Sequence, residues 1–114
     1  MIDYHSTLVA ALSTVLPTHY EMTVNRNTQT PCITYLELNN AVEVSCNVLG
    51  YSRIAYQVKV WGHEIEELQH YAQLIDAVLR PLGFKRTAAN ELYDRNSTMI
   101  QKVLTYEILV SEKF

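Results

Sequence analysis

Four histidines stand in the chain, and two of them share a pattern that could do chemistry: His63, Glu67 and His70. At 100° per residue these three lie on one face of a helix. Imidazole and carboxylate together are metal-ligand chemistry. The spacing argues against it. In the HExxH pattern the histidines are four apart. Here they are seven apart, roughly 10 Å along a helix axis, too far to chelate one ion readily. The face also lies opposite the apolar stripe, so it reads as a solvated polar face. Cys32 and Cys46 belong to no CxxC pair and read as reduced core residues rather than zinc ligands or a thioredoxin-like pair. Glu91 and Asp94 are three apart in an extended segment, where they face opposite sides. No GxSxG, no Gly-rich phosphate loop and no local Cys–His pairing is present. The three glycines, Gly50, Gly62 and Gly83, fall at turns or caps, whereas an amide cradle for phosphate needs several in one loop. The expectation is a protein with no catalytic residues, no metal site and no cofactor.

The totals narrow the class further. A chain of 114 residues is near the size of one domain, and no repeat, linker or low-complexity run divides it. Its 9 basic and 12 acidic residues give a net charge of −3, which argues against nonspecific nucleic-acid binding. Eight tyrosines against two phenylalanines join apolar area to polar tips, a bias shared by strands and interfaces. No apolar run reaches the ~18 residues of a membrane span. Ile2 to Leu16 is too polar for a secretory signal core, being interrupted by Asp3, His5, Ser6, Thr7, Ser13 and Thr14. The expected compartment is the cytoplasm or a particle assembled there.

With no chemistry to position, the elements themselves carry the reading. The clearest stretch runs from Ile54 to Phe84. Ile54, Tyr56, Val58 and Val60 alternate with Ala55, Gln57, Lys59 and Trp61, the period of a half-buried strand. Gly62 and His63 break it. Glu64, Glu66 and Glu67 place negative charge in a first helical turn, where the helix dipole favours it. Ile65, Leu68, Ala72, Ile75, Leu79 and Leu82 follow at helical spacing. Arg80 supplies a cation, Pro81 disrupts continuation and Gly83 suits a left-handed cap.

Before this stretch, Asp3 can cap a helix with Leu8, Val9, Leu12, Val15 and Leu16 as its apolar stripe, ended by Pro17. Thr18 to Val24 alternates loosely as a strand. Asn25 to Pro31 is a polar loop. Cys32 to Leu38 is a strand, Asn39-Asn40 a turn, and Ala41 to Val48 a second strand, together a hairpin. Leu49 to Ser52 turns the chain again. After Gly83, Phe84 to Asp94 is extended, Arg95 to Thr98 is a turn, and Met99 to Val110 is a closing strand. In that strand Leu104, Tyr106, Ile108 and Val110 oppose Gln101, Thr105 and Glu107. The expected fold is α+β: an antiparallel or mixed sheet of about five strands with two helices on one face, residues 1–114 forming a single domain.

The second helix has a wider apolar face than one sheet requires. Tyr71, Leu74 and Val78 extend its stripe around the cylinder, with Leu74 farthest round. Either the first helix covers this strip, or it meets a neighbouring subunit. Tyr71, Leu74 and Val78 are therefore the candidate subunit-interface residues.

Several strings then stand in a familiar order: Thr30-Pro31-Cys32-Ile33-Thr34-Tyr35, Tyr56-Gln57-Val58-Lys59-Val60-Trp61-Gly62, Ala77-Val78-Leu79-Arg80-Pro81-Leu82-Gly83-Phe84, and Lys102-Val103-Leu104-Thr105-Tyr106-Glu107-Ile108. In order and spacing, over nearly its whole length, the chain resembles the tail completion or tail terminator (tail-to-head joining) proteins of long-tailed bacteriophages. It departs from them around Ala41 to Ser52, where relatives vary in length. The resemblance implies a structural virion protein at the head–tail junction, assembled in the host cytoplasm. It implies a homo-hexameric ring that caps the finished tail tube, stops its polymerisation and joins it to the head connector. The implied partners are further copies of the chain, the tail tube protein and the head-completion or stopper protein, with no membrane contact and no sequence-specific nucleic-acid contact, DNA only passing through the ring. A stopper or adaptor of the same neck is the nearest alternative. A small cytoplasmic ligand- or metal-binding α+β domain is the alternative from another class. The loops Asn25 to Pro31 and Leu49 to Ser52 are candidates for contacts along the ring axis.

Overall fold

A computed structural model describes residues 4–20, 30–43, 51–94 and 99–111. In chain order these form α1 (His5–Ser13), β1 (Thr18–Tyr20), β2 (Cys32–Glu43), β3 (Tyr51–Gly62), α2 (Ile65–Leu79), a 3-10 turn (Arg80–Leu82), β4 (Lys85–Asp94) and β5 (Met99–Ser111). The five strands make one mixed sheet in the order β1-β2-β3-β5-β4. Only β1 runs parallel to its neighbour; the other pairs are antiparallel. The architecture is α+β, as the alternating and helical periodicities predict.

β3 is the centre of the sheet, and its alternation does what period two requires. Ile54, Tyr56, Val58 and Val60 are buried. Across the ladders they meet Ile33 and Tyr35 of β2, and Leu104, Tyr106 and Ile108 of β5. α2 packs on this face against β3 and β5, and α1 packs against α2. The buried residues Leu68, Ala72, Ile75 and Leu79 of α2 join Leu8 and Leu12 of α1 in one core. A nine-residue helix such as α1 is marginal in isolation, so this docking is what holds it.

The punctuation around α2 follows the sequence closely. Glu64 is its N-cap residue, Glu66 and Glu67 lie in the first turn, and the helix stops at Leu79. Pro81 sits in the 3-10 turn, and Gly83 closes it at φ 97°, the left-handed region that only glycine occupies without strain. Gly62 also has a steric role. A Cβ there would come within 2.8 Å of Leu68, so β3 and the start of α2 approach closely because no side chain intervenes.

Several expected boundaries are corrected. Asn39-Asn40 is not a turn: β2 continues through it to Glu43 with a bulge between Glu37 and Asn39. Pairing with β3 supplies the hydrogen bonds that override the turn preference of two asparagines. Tyr51 and Ser52 likewise belong to β3 and not to a turn. The 3-10 turn swings Leu82 out of line, leaving it 42% exposed instead of in the core stripe. Tyr4 precedes α1 and makes no side-chain cap, and Asp3, the expected cap, lies outside the described residues. Most of the loop Asn25 to Pro31, the end of the strand expected over Thr18 to Val24, the segment Val44 to Gly50 and the turn Arg95 to Thr98 lie outside the described residues.

Candidate subunit-contact surface

The strip predicted on α2 divides in two. Tyr71 and Val78 are partly buried and pack against the core. Leu74 is not among them and remains 39% exposed. Helical geometry explains the division. Tyr71 and Val78 border the buried row Leu68, Ala72, Ile75 and Leu79, whereas Leu74 lies farther round the cylinder. The core that α1 and α2 share takes up Tyr71 and Val78, and Leu74 is left exposed.

The histidine pattern gains no support as a ligand set. His63 precedes α2, while Glu67 and His70 lie on it. No group of three or more His, Cys, Asp or Glu residues is arranged to hold a metal among the described residues. His70 stacks obliquely near Tyr71, with ring centroids 6.0 Å apart. His5 lies with its Nε2 2.9 Å from the Tyr35 hydroxyl, tying α1 to β2. Cys32 is buried and unpaired, and burial pushes its thiol pKa up, which makes it a poor nucleophile.

A polar cluster that no sequence motif announces ties α2 to the far strands of the sheet. The Tyr106 hydroxyl donates to Asp76 Oδ1. Arg86 Nη1 donates to Asp76 Oδ2 at 2.7 Å. Burial first, and then the Asp76 carboxylate, drive the Tyr106 phenol far above its usual range. Asp76, Arg80, Phe84, Lys85, Arg86 and Tyr106 line a cavity of about 330 Å³ at this point. The signal was present in part: Asp76 on α2 and Arg80 just past its end are four apart. Nothing in the sequence placed Tyr106 and Arg86 beside them, because that depends on β4 pairing with β5 with Arg86 opposite Tyr106. Farther along, Lys102 Nζ donates to Glu91 Oε1 at 2.8 Å. That bond, reinforced by the Lys102 charge and by Gln69, lowers the Glu91 pKa against a smaller opposing effect of desolvation.

The sheet face opposite the helices carries a group of polar contacts, with Trp61 near the end of β3. Trp61 Nε1 donates to the buried Thr34 hydroxyl at 2.8 Å, and Lys59 lies over the Trp61 ring at 5.9 Å from its centroid. Arg53 and Glu107 pair at 3.1 Å. None of these contacts is an acid–base or nucleophile pair.

No protein-family model and no curated protein sequence matches the chain. Among solved structures, its fold is similar to that of a chain in the virion of a native gene transfer agent particle. The TM-score is 0.56 with 12% sequence identity, over 94% of this chain and 86% of that one. At that identity the likeness is one of fold.

Proposed function

We propose that this chain is a structural subunit of a phage-like virion, acting at the head–tail junction. In this reading copies form a hexameric ring that caps the completed tail tube, stops its polymerisation and joins it to the head connector. The observation that carries it is the fold likeness to a virion chain, which extends over nearly all of both chains. The resemblance of the sequence to tail terminators also runs along nearly the whole chain.

Electron microscopy of particles made without this protein tests the role. Overlong tails, or tails lacking heads, are expected. Particles of normal form would overturn it.

Within this reading Tyr71, Leu74 and Val78 form part of a subunit contact, with Leu74 as its exposed centre. Leu74→Glu should leave the monomer folded and reduce assembly in sedimentation velocity. An unchanged assembly state would remove this strip from the interface.

A further inference from the structure

The two ends of α2 carry opposite charge. At its start Glu64 and Glu66 are exposed and Glu67 is half-buried. At its end Arg80, Lys85 and Arg86 surround Asp76 at the mouth of the cavity described above, a formal excess of two positive charges. Helix electrostatics accounts for some of this, since acids at the N-terminus and a cation at the C-terminus both oppose the macrodipole. It does not account for Lys85 and Arg86. These belong to β4 and reach the site because the Gly83 turn folds the strand back beside the helix end.

The charges are also aligned. Glu66, Gln73 and Arg80 are each seven residues apart and all exposed, so they follow one ridge of the helix for about 21 Å. Arg86 is engaged with Asp76. Arg80 and Lys85 have no ion-pair partner among the described residues. A groove at the other end, about 210 Å³ in volume, is lined by Thr30, Pro31, Gly62, His63, Glu64 and Glu67. One molecule thus presents a basic cavity and an acidic groove about 21 Å apart along the same helix.

We infer that the basic cavity receives carboxylates from the acidic first turn of α2 in a second copy of the chain. The inference deepens the ring reading and rests on copies assembling with one another. Charge complementarity selects this occupant: the same protein carries both halves of the contact on different surfaces. Repeated head to tail such a contact is heterologous and closes a ring, whereas two antiparallel copies making it twice would form a twofold dimer; the ring reading requires the head-to-tail arrangement, and the particle mass distinguishes the two. Being formed by exposed charges, it weakens as salt shortens the electrostatic range from ~8 Å at 0.15 M to ~3 Å at 1 M.

Mass photometry and sedimentation velocity on the full chain at low and high salt test the contact, with circular dichroism confirming folding of every variant. Wild-type protein is expected to associate at low salt. R80E/K85E and E64K/E66K should each weaken that association at least tenfold. An equimolar mixture of the two variants should recover it, because each reversed end then finds a reversed partner. The fourfold variant carrying all these changes should recover it alone. If either double variant does not fold, R80Q/K85Q and E64Q/E66Q take their places and should each weaken association to a smaller degree. Assembly that persists through both reversals would overturn this contact while leaving the ring reading intact. A wild-type chain that stays monomeric at low salt would also overturn it, and particle morphology would decide the ring reading separately.

Discussion

β3 and β4 belong to the same sheet yet have almost opposite surroundings. Four alternating residues of β3 are buried under α2, and their neighbours are half-covered. β4 has no buried residue from Lys85 to Tyr93. It is held by its ladder to β5 and by polar ties that include Arg86 to Asp76 and Glu91 to Lys102. Leu92 and Tyr93 are 52% and 60% exposed. The contrast separates what folds the chain from what the chain can offer to others. Apolar burial is concentrated where α1 and α2 cover the sheet, and the last strand in the order is left as surface.

The largest effect should come from the covered half. Ile75 and Leu104 are fully buried in the shared core. Ile75→Ala or Leu104→Ala should cost about 2–5 kcal/mol, from lost transfer energy and the cavity left behind. That is a large fraction of the roughly 5–15 kcal/mol typical of a domain. Chemical denaturation measures it. A loss below about 1 kcal/mol would mean that β3 and its neighbours do not dominate stability as their burial implies.

The next effect probes the link between the halves. Tyr106→Phe removes the hydrogen bond to Asp76 and should cost about 1.5–3 kcal/mol, the range for a bond to a charged group. The substitution also changes the response to alkali. Because the phenol pKa is raised in the folded state, its contribution is fully present below the unfolded value near 10. It is lost as pH rises beyond that, since the unfolded chain ionises first. Tyr35 and Cys32 are raised in the same direction, so wild-type stability should fall above about pH 9 to 10. The fall should be shallower in Tyr106→Phe. Equal slopes in the two proteins would mean that the Asp76–Tyr106 tie contributes nothing to the alkaline response.

Gly83 makes the return from α2 into β4. Gly83→Ala should cost about 1–2 kcal/mol through the left-handed backbone alone. Crowding adds little, because the new Cβ would stand 3.6 Å from Ile108, an ordinary contact distance. A thermal shift near zero would show that the turn tolerates a different backbone, and that β4 docks without it.

Much of this was legible in the residues, and the reason differs by element. β3, α2 and β5 declare themselves because each buries one face, so burial imposes a period on the sequence. β4 carries only a weak pattern for the opposite reason: neither face is buried, so no period is imposed. The Asn39-Asn40 segment misleads because asparagine favours turns locally, while eleven paired positions between β2 and β3 decide the conformation from afar. On the candidate surface, Leu74 was readable from helical spacing. The Asp76–Arg86–Tyr106 cluster was not, because strand register sets it and register has no local signature.

The smallest stability change is expected on β4, and it is the most discriminating test of the contrast. Leu92→Ser removes an apolar side chain that is already half in water, on the face away from the helices. The ladder to Gln101 is made by backbone groups and survives the substitution. Stability should therefore change by no more than about 0.5 kcal/mol. Tyr93→Ser, on the neighbouring position and the opposite face, should behave alike. If either variant lost 2 kcal/mol or more, the exposed strand would be a structural element after all, since only buried or strained positions cost that much. If both unfold like wild type, β4 owes its place to its ladder and its polar ties, and its apolar side chains are free to serve a contact outside the chain.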